Sequence, residues 1–396
     1  MQIVILAGGL GTRLRSVVGE VPKILAPVGE RPFVEHLIRQ LRDGGFRDLL
    51  FLTGYSAPIV EQHLSALDAG GLTLQFCREP KPLGTAGALF NAWDVLEEEF
   101  ILLNGDTFFD IQFDLLLSSC QQQSPDCLIA LCCTEEISRC GLVEIDSDNR
   151  ITKFIEKTHL PRDRADGYIN GGLYYFKKSG LSQFRKNWKG NSQGLEKDVF
   201  PALASRHDLF GIPFGGKFMD IGIPEDYRRA QREIPDWLSR ERRPALFLDR
   251  DGVINEDTGY VHGTDLKFIE ETFTRVAAAK REGKFVIAIT NQSGVGRGYY
   301  TEDDVAITHD HIRQVYKSRG LAIDAFYYCP YYPDAKLEKY RKHSLMRKPD
   351  PGMILRACED FRINLRDSVM VGDKEDVDRI RLDYLRCEII SAKPST

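Results

Sequence analysis

Two stretches decide the fold: IVILAGGLGTRL at residues 3–14 and ALFLDRDGVIN at residues 245–255. Each is a short apolar, partly β-branched run that reads as a buried strand and breaks into a glycine-containing loop. In a mostly parallel α/β sheet such a loop lies at the edge where ligands bind. The chain therefore starts a phosphate-friendly α/β unit twice, with different chemistry each time. The first loop offers Gly8, Gly9 and Gly11 with the cations Arg13 and Lys23 close by, whereas the second offers two carboxylates, Asp249 and Asp251.

Between and beyond these stretches the same alternation continues. DLLFLTG, TLQFCRE, FILLNGD and CLIALCC read as strands, while residues 33–44 and 86–98 have helical spacing. A helical segment follows Asp220 and runs into the charged, proline-closed SRERRP at 239–244, after which FVIAITNQSG and SVMVGDKED resume the strand pattern. This predicts two α/β domains, 1–234 and 244–396, joined by a linker at 235–243. The length of 396 residues agrees, since single cores usually stop growing well below it.

Composition excludes several classes. A net charge of -5 gives no support for a polyanion-binding surface, so nucleic acid is not expected as a partner. No apolar run is long enough to span a bilayer, and the N-terminus lacks the basic start of a secretion signal, so a cytoplasmic protein without membrane contact is expected. The 9 cysteines form no CxxC pair and read as reduced core thiols. Oligomeric state is not readable from periodicity.

With GGLGTRL at 8–14 followed by PKILAPV at 22–28, the first half resembles the sugar-phosphate nucleotidyltransferase family. The residues that carry the likeness are GGLGTRL with PKILAPV, then PLGTAGAL (82–89), LLNGDTF (102–108), CGLVEID (140–146), FIEKT (154–158), INGGLYYF (169–176) and FMDIGIPEDY (218–227), in family order. The resemblance implies a GT-A-like, Rossmann-like three-layer sheet. It implies that Arg13 and Lys23 bind nucleotide phosphates, with Gly8, Gly9, Gly11 and Thr12 forming the loop around them. Gly84 and Thr85 would contact the base, and Asp106 and Asp220 would hold Mg²⁺. Gly141, Glu156, Lys157 and Asn170 would meet the sugar phosphate. Such a transfer needs charge neutralisation and positioning at the α-phosphorus more than a protein nucleophile, and two carboxylates with two cations supply that. Thr158 stands where the family often has Pro, which alters the sugar-side loop.

In the second half, the one-residue spacing of Asp249 and Asp251 turns both side chains to the same side of an extended segment. Thr290 after FVIAI, Lys348 in RKPDPGM and Asp373 in VMVGDKED follow in sequence. These four motifs resemble the haloacid dehalogenase superfamily, with a minimal cap because the gap from Asp251 to Thr290 is short. The resemblance makes Asp249 the nucleophile, Asp251 the general acid and base, and Thr290 and Lys348 the holders of the phosphoryl oxygens. Asp249, Asp251 and Asp373 form its Mg²⁺ set, with Asp376 as a further candidate.

DRDGVINEDTGYV, TNQSGVGRGYYTEDD, CPYYPD and RKPDPGM narrow the likeness to the branch holding heptose 1,7-bisphosphate and histidinol-phosphate phosphatases. There Asn291, Arg297 and Arg347 are substrate-binding candidates, the two arginines for a second phosphate, and His262 could touch the sugar. Many members of the branch bind zinc in the CP loop. Here Cys329 stays, but Tyr331, Ser344 and Met346 replace the other ligands, so zinc is expected to be absent and packing by Tyr327, Tyr328, Tyr331 and Tyr332 to order the loop. The fusion implies consecutive steps: a phosphatase yielding heptose 1-phosphate and a nucleotidyltransferase, with GTP as the expected nucleotide, as in GDP-heptose supply for bacterial surface polysaccharide. The alternatives are the same reaction classes on another sugar or base, and a non-catalytic sugar-nucleotide sensor fused to a phosphatase.

Overall fold

The computed structural model describes residues 1–9, 11, 14–67, 70–137, 141–155, 160–161 and 163–390. Arg13, Thr12, Glu156 and Lys157, all expected at the first site, lie outside the described residues. The chain divides into two compact units. The first comprises Met1–Cys132, Gly141–Glu156 and Tyr168–Arg240; the second comprises Glu241–Thr396 together with two upstream segments, Cys133–Cys140 and Lys157–Gly167.

The first unit is built on a mixed sheet. Strand Gln2–Ala7 lies between two parallel neighbours, Asp48–Thr53 and Glu99–Asn104. Thr73–Arg78 extends one side in parallel. The other side continues antiparallel through Gly167–Lys177 to Leu142–Ile145 and Ile151–Ile155. Ile3, Val4 and Ile5 are all fully buried, as strands covered on both faces must be. Helix Phe33–Asp43 buries Phe33, Val34, Leu37 and Leu41, the single apolar stripe its sequence spacing predicts.

Helix Pro224–Ser239 places Pro224 in its first turn, where no intrahelical N–H is needed. It continues past Pro235, so residues 235–239, expected in the linker, are helical instead. Burial explains the extension: Trp237 and Leu238 join an apolar cluster with Phe33, Leu37 and Phe108, and the Trp237 indole donates to Asp110 Oδ2 at 2.8 Å.

The second unit holds a five-stranded, wholly parallel sheet in the order Ala325–Cys329, Phe285–Asn291, Ala245–Leu248, Val369–Gly372, Arg386–Ile389. The three middle strands end at Asp249, Thr290–Asn291 and Asp373, so adjacent carboxyl-terminal strand ends gather residues up to 124 positions apart into one place. Helix Glu302–Ser318 opens with a capping box in which Thr301 and Asp304 satisfy each other's backbone N–H. Among the described residues, no helix is long and apolar enough to cross a membrane.

Two candidate active sites

In the first unit, Lys23 begins a single 3₁₀ turn, Lys23–Leu25, anchored by buried Ile24 and Leu25. Its ammonium lies 2.5 Å from Asp106 Oδ2 and 3.7 Å from Asp220 Oδ1. The two aspartates come together because short strands Thr107–Phe109 and Phe218–Asp220 pair antiparallel, Asp220 opposite Thr107, and the Ile221 N–H donates to the Asp106 carbonyl. Two carboxylates thus converge on one cation at the end of the central strands, an arrangement suited to a divalent ion and a polyphosphate. Gly8 and Gly9 follow strand Gln2–Ala7 directly, and the Gly11 carbonyl accepts from Leu14 N–H.

Gly84 has φ +73, and a Cβ there would lie 2.4 Å from the Gln193 carbonyl oxygen, so only glycine permits this approach. The Thr85 hydroxyl accepts from Leu195 N–H at 2.8 Å. The expected base contacts therefore also pin the 193–195 segment. Asn170 donates to Glu196 Oε1 at 2.9 Å and to the Tyr174 hydroxyl at 3.0 Å, while its carbonyl accepts from Gly172 N–H. Gly141 sits exposed just before strand Leu142–Ile145.

In the second unit, the buried Lys348 ammonium bridges Asp249 Oδ1 at 2.9 Å and Asp378 Oδ1 at 2.5 Å. Asp378 is fully buried, and its other oxygen accepts from the backbone N–H groups of Asp373 and Lys374, each at 3.0 Å. Asp249, Asp373 and Asp378 present carboxylate oxygens within 4.8 Å of one another. Burial pushes the Asp249 carboxyl up to about 7, although Lys348 pulls the other way. Asp373 Oδ1 is buried with no hydrogen-bond partner, which is what an atom waiting for a cation looks like. Gly252, at φ +91, makes room: a Cβ there would strike Asp373 Oδ2 at 2.2 Å.

Asp251, expected among the metal ligands, has its carboxylate outside that group of three. Its oxygens accept from Arg250 Nε and Nη2, Asn255 Nδ2 and Gln292 Nε2, at 2.9–3.0 Å. The reason is Arg250, fully buried beside it, which claims the carboxylate as its partner. Gln292 also donates to Thr290 Oγ1 and accepts from the Tyr300 hydroxyl, coupling Asp251 to Thr290. Asn291 exchanges two hydrogen bonds with the Lys348 backbone, at 2.9 and 3.0 Å, so it braces that lysine.

Both families now follow from sequence comparison. The nucleotidyl transferase family matches residues 2–236, and the family described as polynucleotide kinase 3 phosphatase matches residues 248–392. A D-glycero-alpha-D-manno-heptose 1-phosphate guanylyltransferase of Campylobacter jejuni is 32% identical over 227 residues, 57% of this chain and 97% of that protein. A D-glycero-alpha-D-manno-heptose-1,7-bisphosphate 7-phosphatase of Burkholderia mallei is 48% identical over 132 residues, 33% of this chain and 70% of that protein.

The chain belongs to both the nucleotidyl transferase and the haloacid dehalogenase-like phosphatase families.

It is a bifunctional enzyme, a nucleotidyltransferase followed by a phosphatase. The crystal structure of HddC from Yersinia pseudotuberculosis resembles the nucleotidyltransferase part, with a TM-score of 0.52 and 31% identity over 59% of this chain and 98% of that one. The same protein has been crystallised with GMP-PN.

In the phosphatase, Arg297 and Arg347 converge on one ring: their guanidinium carbons lie 4.4 and 4.9 Å from the Tyr332 centroid. Arg297 Nε is buried without a hydrogen-bond partner. His262 stacks on Tyr300 at 4.7 Å. The tyrosines of the CP loop do not act as one group. Tyr328, Tyr331 and Tyr332 pack on a cluster containing Tyr300 and Tyr340, whereas the Tyr327 hydroxyl donates away to Asp360 at 2.8 Å. Burial pushes the Cys329 thiol up to about 12, and its sulfur contacts the Tyr331 carbonyl at 3.7 Å. His36 is buried and bonded to the Val28 carbonyl oxygen.

Sequence reasoning missed Asp378, Gln292 and Arg250. Asp378 lies two residues beyond the candidate Asp376, and the spacing of a short helical turn, Glu375–Asp378, decides which of them faces Lys348. Gln292 was legible as a polar residue directly after a buried strand end.

Proposed function

We propose that the phosphatase unit removes the 7-phosphate of D-glycero-α-D-manno-heptose 1,7-bisphosphate and that the nucleotidyltransferase unit joins the resulting heptose 1-phosphate to GTP, giving GDP-heptose and pyrophosphate. One observation carries this reading: relatives named for consecutive reactions are fused here on one chain, the product of the second unit being the acceptor of the first.

In the phosphatase, an Asp249 carboxylate oxygen attacks the 7-phosphorus and the bond from phosphorus to the sugar oxygen breaks. Asp251 gives that oxygen its proton, then takes one from the water that attacks the aspartyl phosphate, releasing inorganic phosphate and restoring Asp249. Lys348 keeps the nucleophile from being repelled by its anionic substrate, and Thr290, oriented by Gln292, holds a phosphoryl oxygen. Asp249, Asp373 and Asp378 would hold Mg²⁺, which when bound neutralises phosphoryl charge. Arg297 and Arg347 would take the 1-phosphate, and His262 would border the sugar.

In the nucleotidyltransferase, an oxygen of the sugar 1-phosphate attacks the α-phosphorus of GTP and pyrophosphate leaves. Lys23, with Arg13, would bind the nucleotide phosphates, and Asp106 and Asp220 would hold Mg²⁺. On entry of the nucleotide, Lys23 exchanges carboxylates for phosphate oxygens. Asn170, Gly141, Glu156 and Lys157 would face the sugar phosphate, and Gly84 and Thr85 the base. Cytoplasmic sugar-nucleotide supply for surface polysaccharide fits both steps.

Substrate competition tests the assignment. With heptose 1-phosphate, mannose 1-phosphate and glucose 1-phosphate present together with all four NTPs, GDP-heptose is the expected main product. A product carrying another sugar or base would replace the assignment.

A further inference from the structure

The second unit contains chain from far upstream. Within it, Arg164 forms a parallel β-bridge with His343. His343 N–H donates to the Asp163 carbonyl at 2.8 Å, and Ala165 N–H donates to the His343 carbonyl at 3.1 Å. The next residue, Asp166, is a carboxylate only 2% exposed. Its oxygens accept from the Ser344 hydroxyl and from Leu345 N–H, the latter at 2.6 Å, and the Ser344 hydroxyl oxygen in turn accepts from Met346 N–H at 3.1 Å. Burial pushes this carboxyl up and the donors hold it down.

These donors begin the segment that carries Arg347 and Lys348. Arg347 N–H donates to the Ser344 carbonyl at 3.1 Å, Arg347 Nη1 reaches the Tyr331 carbonyl at 3.4 Å, and Lys348 follows into the buried pair with Asp249. Ser344 and Met346 are the positions where the resembling branch usually has cysteines for zinc. Here one buried carboxylate holds the Ser344 hydroxyl and the Leu345 amide, and the hydroxyl holds the Met346 amide. We propose that Asp166 is a positioning residue of the phosphatase, ordering the 344–348 turn so that Arg347 meets the substrate's second phosphate and Lys348 meets the reacting one. Asp166, 83 positions before Asp249, is on this account part of the phosphatase site.

The proposal rests on the phosphatase reading of the second unit, so the test uses the full chain with two substrates, the heptose bisphosphate and p-nitrophenyl phosphate, which has no second phosphate. Asp166→Asn keeps the shape but removes the charge and turns an acceptor into a donor facing donors. The expected result is a KM for the bisphosphate raised about tenfold, the factor equivalent to about 1.4 kcal/mol. The KM for p-nitrophenyl phosphate stays near wild type, and nucleotidyl transfer in the same preparation is unchanged. Equal losses on both phosphatase substrates and in nucleotidyl transfer would mean a merely structural role and overturn the proposal, as would unchanged phosphatase constants. Should Asp166→Asn fail to fold, Ser344→Ala removes one donor and must shift the bisphosphate KM in the same direction; an unchanged KM overturns the proposal. If wild type hydrolyses p-nitrophenyl phosphate but not the bisphosphate, the sugar assignment fails separately. Asp166→Asn is then read from p-nitrophenyl phosphate kcat, which must fall through misplacement of Lys348, and an unchanged kcat overturns the proposal.

Discussion

His309 lies on helix Glu302–Ser318 with its ring stacked on Phe326 at 4.6 Å and edge-on to Tyr328 at 5.9 Å. It is 4% exposed, and its Nε2 is buried without a hydrogen-bond partner. Burial, reinforced by the positive charges of Arg250 and Arg313, lowers it from the ordinary 6.5 to about 3. The folded imidazole therefore stays neutral at pH values where the unfolded one takes a proton. Between those two values the unfolded state binds more protons, so stability falls as pH falls below 6.5 and the loss is complete only near pH 3. At pH 5 the unfolded imidazole is almost fully protonated and gains about 2 kcal/mol, while the folded one gains almost nothing. His309→Phe keeps the stack on Phe326 and deletes the proton. Calorimetry of the phosphatase transition at pH 8 and pH 5 should show wild type losing about 2 kcal/mol more than His309→Phe. Parallel pH dependences would refute the reasoning, as would an NMR titration placing the folded His309 pKa near 6.5.

Three further outcomes follow from the two sites. Asp249→Asn, whose amide cannot act as nucleophile, should abolish phosphate release while leaving pyrophosphate release from GTP and heptose 1-phosphate at the wild-type rate; Asp106→Ala should do the reverse. Asp378→Asn, which weakens a buried contact to Lys348 and leaves an amide near two backbone donors, should lower phosphatase kcat by about 100-fold and destabilise that unit by about 3 kcal/mol, read by activity and denaturation. Cys329 should resist iodoacetamide at pH 8 in the folded protein, because a thiol at about 12 is about 0.01% thiolate there, and purified protein should carry less than stoichiometric zinc.

The strand-to-loop junctions were legible because a buried strand ending in glycine and aspartate leaves few other readings. Asp249 and Asp373, separated by 124 positions, both lie at such junctions, but their pairing came from the resemblance. Asp106 and Asp220 likewise came from resemblance, since their meeting depends on a two-stranded pairing of three residues each, too short for periodicity to reveal. Asp251 shows a different limit. Spacing placed it beside Asp249, but its direction was decided by Arg250, and a buried arginine cannot be told from an exposed one by sequence alone. Asp166 was invisible for a third reason. Its partners Ser344 and Leu345 lie 178 and 179 positions away, and no local pattern links them. Residues 235–239 looked like linker because Pro235 and the following charges signal a break, yet burial of Trp237 outweighed one lost helical hydrogen bond.

In the proposed function one chain performs two consecutive reactions. The most direct measurement supplies purified full-length protein with Mg²⁺, D-glycero-α-D-manno-heptose 1,7-bisphosphate and GTP, and follows phosphate, pyrophosphate and sugar nucleotide separately over time. Phosphate appearing first, followed by equal amounts of pyrophosphate and GDP-heptose, is the predicted result. Sugar nucleotide formed without prior phosphate release, or phosphate release with no sugar nucleotide from the heptose 1-phosphate produced, would contradict it.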